Sequence, residues 1–211
     1  MINRVLVRRL GLVDYQHSWS AMKKFTEQRD PETPDEIWLL QHPPVYTLGM
    51  RKYAGPAMKD IPVVSSDRGG LITYHGPGQF IAYVLMDLKR RGWGVRRLVQ
   101  SLEQVVIDFL GGYNIKAERM EKAPGVYVRE SKVASLGLRV RRGASYHGLS
   151  VNVNMDLTPF DSIDPCGFPD LNVTQLKDLG VVDSEQALLD QFQSQLVKQL
   201  GYEVVQTERA F

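Results

Sequence analysis

The sequence predicts an α+β domain, with a mixed, largely antiparallel β-sheet flanked by helices. Three observations carry that expectation. Helix-like and strand-like periodicities alternate irregularly, without the strict rhythm of a doubly wound parallel sheet. Several β-rich stretches are separated by Gly- or Pro-containing turns short enough for hairpins. The 211 residues, 43% apolar and 24% charged, fit a single domain spanning residues 1–211.

Residues 2–9 read as a strand, and Arg8 and Arg9 interrupt what would otherwise resemble a signal peptide. Asp14 is placed to cap a helix running to Arg29, with Tyr15, Trp19, Met22 and Phe25 on one face. The run Asp30-Pro31-Glu32-Thr33-Pro34 ends it. Ile37–Gln41 and Val45–Leu48 are short strands around His42-Pro43-Pro44, and Val63–Ser65 is another. Leu71–Tyr74 and Gln79–Leu85 flank His75-Gly76-Pro77-Gly78, the pattern of a tight hairpin. Val95–Leu110 is the clearest helix. Leu98, Leu102, Val105, Val106, Phe109 and Leu110 line one side and Gly111-Gly112 stops it. Strands follow at Gly125–Arg129, Lys132–Arg141 and Ser145–Val153, the last two joined as a hairpin through the hinge Arg141-Arg142-Gly143-Ala144. A short helix near Thr174–Leu179 and a longer one from Ser184 to Leu200, stopped by Gly201, precede an edge strand at Tyr202–Val205.

Composition narrows the function classes. No apolar run is long enough for a membrane helix. With one cysteine and no export signal, a reducing cytoplasm is the default. The net charge of +2 does not argue for nucleic acid. The basic clusters Lys89–Arg97 and Arg139–Arg142 are either solvated faces or docking sites for an acidic partner or phosphate, with Trp93 the sole interleaved aromatic. No H-E-x-x-H motif or close His/Asp/Glu cluster suggests a metal site.

The single cysteine, Cys166, sits in Ser162-Ile163-Asp164-Pro165-Cys166-Gly167-Phe168-Pro169-Asp170. Two prolines and a glycine there place it on a loop rather than in a helix or central strand. A lone thiol cannot form an intrachain disulfide, so it is a nucleophile, a redox-sensitive thiol or chemically idle. Arg68-Gly69-Gly70-Leu71-Ile72-Thr73-Tyr74-His75-Gly76-Pro77-Gly78-Gln79 brackets a short strand with glycine pairs that let backbone approach a ligand. It is neither a Walker A loop nor a G-x-G-x-x-G fingerprint. In Lys132-Val133-Ala134-Ser135-Leu136-Gly137-Leu138-Arg139, alternation puts Lys132, Ala134, Leu136 and Leu138 on one face. Apolar neighbours there would lower the pKa of a buried amine, whereas a solvated lysine at a strand start is the plainer alternative. His17 falls on the polar side of the first helix, and His75 or His147 is an alternative partner for Cys166.

Four stretches together resemble one family, the lipoyl (octanoyl) transferases of lipoate biosynthesis: Arg68–Gln79, Lys132–Val140, Tyr146–Val153 and Pro165-Cys166-Gly167. The resemblance implies the catalytic fold shared by lipoate and biotin protein ligases. It implies transfer of an octanoyl group from octanoyl-acyl carrier protein to a lysine on a lipoyl domain of 2-oxoacid dehydrogenase complexes or the glycine cleavage H protein. By position it makes Cys166 the acyl-accepting nucleophile and Lys132 its partner. Arg68, Gly69, Gly70, Leu71, Ile72, Thr73, Tyr74 and His75 would form an acyl-binding wall with Ser135, Leu136, Gly137, Gly148, Leu149 and Ser150. His147 would be auxiliary. A cytoplasmic monomer without cofactor or metal is expected. The competing readings are an ATP-dependent lipoate or biotin ligase of the same fold, a non-catalytic acyl-carrier-binding protein, and a hydrolytic Cys–His enzyme.

Overall fold

The computed structural model describes residues 4–53, 55, 60–121, 123–163 and 171–209. Strand β1 (Arg4–Leu12) leads into helix α1 (Tyr15–Gln28), where the Asp14 side chain accepts from the backbone N–H of His17 as the N-cap. There follow β2 (Asp35–Gln41), β3 (Val45–Leu48), β4 (Val63–Ser65), β5 (Ile72–His75), β6 (Gln79–Leu85) and helix α2 (Val95–Gly111). Next come β7 (Glu118–Met120), β8 (Ala123–Val128), β9 (Ser131–Arg141) and β10 (Ala144–Asn152). Helix α3 (Glu185–Gln199) and β11 (Val204–Arg209) complete the described chain.

Eight strands form one sheet in the order β11-β1-β2-β6-β10-β9-β8-β7, and β4-β3-β5 form a second. The β11–β1, β1–β2 and β3–β4 pairs are parallel and the others antiparallel. This is the mixed, largely antiparallel sheet that the sequence predicts.

Alternation along the strands divides the core in two. Val5, Val7, Ile37, Leu39, Phe80, Ala82 and Val84 face α2 and α3, meeting Leu102, Val106, Phe109, Phe192 and Leu196. Trp38, Leu40, Ile81, Tyr83 and Leu85 face the opposite side and receive Met22 of α1. A third cluster joins Tyr46, Ile72 and Tyr74 of the small sheet to Met155, Phe160 and Ile163.

Four expectations need correction. The segments on either side of His75-Gly76-Pro77-Gly78 are not a hairpin, because β5 pairs with β3 in the small sheet while β6 lies between β2 and β10. Gly78, at φ +84, makes the crossing: a Cβ there would sit 1.9 Å from the Asn154 carbonyl oxygen. The helix expected over 174–179 is a single 3₁₀ turn, Lys177–Leu179. Strand β7 and the 3₁₀ turn Thr158–Ser162 carry no clear periodicity and were not anticipated.

The fourth correction concerns Lys132. In the β8–β9 register Val126 faces Ala134 but Tyr127 faces Lys132, so Val133 is the extra residue of a bulge. Val133 and Ala134 both enter the α2 side of the core. Lys132 is thereby turned to the other face, beside the Tyr127 ring, with 5.4 Å from Nζ to the centroid.

The loop between β8 and β9 is Arg129-Glu130, both with positive φ, at 48° and 69°. Two-residue hairpins of this kind favour Asn-Gly because L side chains crowd the backbone there. The double variant Arg129→Asn/Glu130→Gly should raise stability by about 1 kcal/mol, or the Tm by about 2–4 °C. An unchanged or lowered Tm in a calorimetric scan would show that this turn carries no strain.

Candidate active site

A cleft lies between the two sheets. Strand β9 lends it Ser135, Leu136 and Gly137; β10 lends His147, Gly148, Leu149 and Ser150; β6 lends Ile81 and Tyr83. Arg68, Gly70 and Leu71, with Ile72, Thr73 and His75 of the β5 strand, make the facing wall, and Tyr15 of α1 joins them. Gly137 and Gly148 pair directly across the sheet. The missing side chain at Gly137 lets the 68–69 loop come down on β9, where an added Cβ would meet the Gly69 carbonyl oxygen at 3.0 Å and Arg68 Cδ at 3.2 Å.

Gly69 and Tyr74 are not among the lining residues. The Gly69 N–H donates to the Leu138 carbonyl at 2.9 Å and stitches the loop to β9. Tyr74 turns toward Tyr46 and Phe160, at centroid distances of 5.5 Å.

Lys132 is 1% exposed. Its N–H donates to the Asn172 carbonyl at 2.8 Å, and its carbonyl accepts from Thr174 N–H at 2.9 Å. The side chain runs across Gly125, where an added Cβ would meet Lys132 Cε at 2.5 Å and Nζ at 3.3 Å. Gly125 pairs with Ser135, so the amine end of Lys132 lies beside the Ser135 end of the cleft. Cys166 lies outside the described residues. Before the undescribed stretch stands Ile163, in the cluster with Ile72 and Tyr74, and after it the chain resumes at Leu171, followed by Asn172, bonded to Lys132.

A chain of buried hydrogen bonds crosses this site. Arg68 Nε donates to Thr47 Oγ1 at 3.0 Å, and Thr47 Oγ1 lies 3.5 Å from His75 Nε2. Gln79 Nε2 donates to Asn152 Oδ1 at 2.9 Å, which leaves its Oε1 to accept from His75 Nδ1–H at 2.7 Å. Asn152 Nδ2 donates to the Thr174 carbonyl at 3.0 Å. His42 is equally committed: Nδ1–H donates to the Val13 carbonyl at 2.5 Å, and Nε2 accepts from the Tyr83 hydroxyl at 2.7 Å.

His147 differs. Its Nε2–H donates to Asp67 Oδ1 at 3.0 Å, while Nδ1 has no hydrogen-bond partner among the described residues. Asp67 also accepts from Trp19 Nε1 at 2.8 Å and from the Tyr146 hydroxyl. Burial alone would raise the Asp67 pKa, but donation from His147, Tyr146 and Trp19 outweighs it and holds the carboxyl well below its usual range. Burial lowers the pKa of His147 despite Asp67.

Sequence reasoning gave no role to Asp67, Gln79, Asn152, His42, Tyr83 or Tyr15. Gln79 and Asn152 fall within the motif stretches, and Asp67 adjoins one, so proximity to those motifs was the available signal. The basic clusters are partly consumed by the fold. Arg90 bonds Asp35 and the carbonyls of Pro31 and Thr33, Arg91 bonds the Leu200 carbonyl, and Arg141 pairs with Glu27. Among the described residues, no helix is long and apolar enough to cross a membrane, and no group of His, Cys, Asp and Glu could hold a metal ion.

Burial pushes His42 down to about 4, and burial plus the neighbouring His42 pushes His75 down to about 3. An unfolded histidine titrates near 6.5. Between these limits the unfolded chain binds more protons than the folded one, so stability rises with pH and is lost as pH falls from 6.5. Urea unfolding between pH 7 and 5 should show up to roughly 1.4 kcal/mol per pH unit for each of these histidines, a slope reduced by His42→Gln. A flat profile above pH 5 would contradict neutral burial.

This chain has relatives of named activity. It is 58% identical over 181 residues to the octanoyltransferase of Aromatoleum aromaticum, covering 85% of this chain and 78% of the relative. It is 56% identical over 195 residues to that of Thiobacillus denitrificans, covering 90% and 89%. Its fold superposes on a lipoate-protein ligase A bound with ATP at a TM-score of 0.79 and 15% identity, covering 100% of this chain and 90% of that one. It matches a biotin protein ligase from Aquifex aeolicus at a TM-score of 0.54 and 13% identity, covering 94% and 69%. Residues 14–201 match the lipoyl protein ligase A/B catalytic domain, and the chain therefore belongs to the octanoyltransferases, acyltransferases of protein lipoylation.

Proposed function

We propose that this chain transfers an octanoyl group from octanoyl-acyl carrier protein to a lysine ε-amine of a lipoyl domain through a thioester on Cys166, with Lys132 as its proton partner. The observation that carries this reading is the position of Lys132. A buried lysine, turned by a bulge away from the α2 side and laid across Gly125, ends beside Ser135 of the cleft. The segment hydrogen-bonded to its backbone, residues 172–174, follows Cys166 closely in sequence.

In the first step Cys166 sulfur bonds to the acyl carbonyl carbon while the thioester bond to phosphopantetheine breaks. The departing thiolate takes the proton that Cys166 gave up. In the second step the acceptor amine bonds to the same carbon, the bond to Cys166 breaks, and the surplus amine proton returns to the cysteine sulfur. Lys132 relays the proton in both directions. Thioester exchange is near neutral in energy and amide formation is downhill, so ATP is not consumed. About seven apolar carbons beyond the carbonyl, at roughly 0.8 kcal/mol each, give about 5–6 kcal/mol of gross binding in the cleft. Backbone N–H groups near residue 166 or along the glycine-rich wall would stabilise the tetrahedral oxyanion.

Incubated with octanoyl carrier and then denatured, the wild-type chain should retain one octanoyl group on Cys166 by mass spectrometry, and Cys166→Ser should retain none. An adduct of equal yield on the serine variant would end the nucleophile assignment. Lys132→Ala should move iodoacetamide alkylation of Cys166 to higher pH, since a nearby cation favours thiolate. An unmoved alkylation profile would remove Lys132 from that role.

A further inference from the structure

We propose that the Asp67–His147 pair is the end-stop of the acyl slot and sets the chain length the enzyme accepts, an inference that rests on the acyl-slot reading above. Two observations single out His147. It has φ +60° inside a strand, a conformation uncommon for a bulky side chain and often associated with functional sites. It is also 1% exposed, lines the cleft, and has a ring nitrogen without a partner among the described residues.

The tautomer is locked. Asp67 accepts from Nε2–H and is itself held by Trp19 and Tyr146. Nδ1 is therefore a bare acceptor. Burial keeps the ring neutral, so it does not become a donor near pH 7.

The sheet register then supplies a ruler. The Lys132 amine end lies at the level of Gly125 and Ser135, whereas His147 pairs with Leu138. Three residues along β9 span about 10 Å. An extended eight-carbon acyl group has seven C–C bonds of about 1.5 Å and spans about 9 Å. Its terminal methyl reaches the level of His147 and goes no further. Arg68 and Gly69 close over Gly137 on the β9 side, so the acyl chain runs along Gly148 and Leu149 of β10 from the Ser150 level to His147, three residues as well. The Trp19–Asp67 contact backs this end. Two further methylenes would have to press against a strained, polar ring and bury its lone pair against hydrocarbon. The same separation keeps His147 away from the transfer chemistry at the Lys132 end.

The test measures transfer from octanoyl, decanoyl and dodecanoyl carriers to a lipoyl domain, scored as the ratio of kcat/KM for decanoyl to octanoyl within each variant. His147→Leu removes the polar stop. His147→Asn suits the left-handed backbone and shortens the side chain. Either should raise the ratio about tenfold, on the scale by which apolar pockets discriminate single methylenes. A ratio unmoved in both variants overturns the proposal. Equal loss of activity on all three donors also overturns it, because His147 would then serve the chemistry or the fold. Failure of the underlying reading shows separately, as absence of any acyl adduct on the wild-type Cys166.

Discussion

The chain of polar groups from Arg68 to Thr174 is the constraint on which the rest of the site depends. It starts on the loop before β5, passes Thr47 of β3 and His75 of β5, crosses to Gln79 of β6 and Asn152 of β10, and ends on the segment that clamps Lys132. Both sheets, and the return of the chain after residue 166, are thus held by one set of side chains. Each link is buried, so removing one leaves its neighbours unsatisfied at about 1–3 kcal/mol apiece. Arg68 adds to the restraint by donating to the carbonyls of Gly69 and Leu71, at 2.9 and 3.0 Å. A guanidinium held by carbonyls fixes the backbone of the loop while keeping its charge.

The cleft exists because the chain declines to make a hairpin at Gly76-Pro77-Gly78. Had β5 and β6 paired, Thr73 and His75 would lie on the large sheet and no wall would face it. Instead Gly78 is wedged against Asn154, its carbonyl accepting from the N–H groups of Val153 and Asn154, at 3.1 and 3.0 Å. The small sheet is thereby held facing β9 and β10, with the Gly137–Gly148 pair as the floor between them.

Much of this was legible in the sequence, and the failures have a common physical origin. Helix α2 and its buried face follow from a 3.6-residue period that local geometry enforces. The β9–β10 hairpin follows from Arg142-Gly143, where both residues take positive φ, at 53° and 83°. Long-range pairing is not encoded locally. Period-2 reasoning placed Lys132 with Ala134 and Leu136, and one bulge residue, Val133, reverses that. The polar network was invisible for the same reason, since Gln79 and Asn152 are 73 residues apart and meet through the β6–β10 register.

Proton bookkeeping bears on which chemistry the site supports. A Cys–His hydrolase needs an imidazole with a free lone pair next to its thiol. His42 has both ring nitrogens engaged, by Val13 and Tyr83. His75 is held between Gln79 and Thr47, and a proton on Nε2 would put a second cation near the Arg68 guanidinium, whose Nε donates to the same Thr47 hydroxyl. Burial opposes the same protonation, which is why His75 sits near 3. His147 has the free nitrogen but lies about 10 Å along the strand from the amine end of Lys132. The three buried histidines are therefore committed to the walls of the cleft or lie away from the Lys132 amine, which supports the proposal that Lys132 is the proton partner. A primary amine suits that proposed task in a transferase, because it can accept a proton from the thiol and hand one back without forming a covalent bond itself.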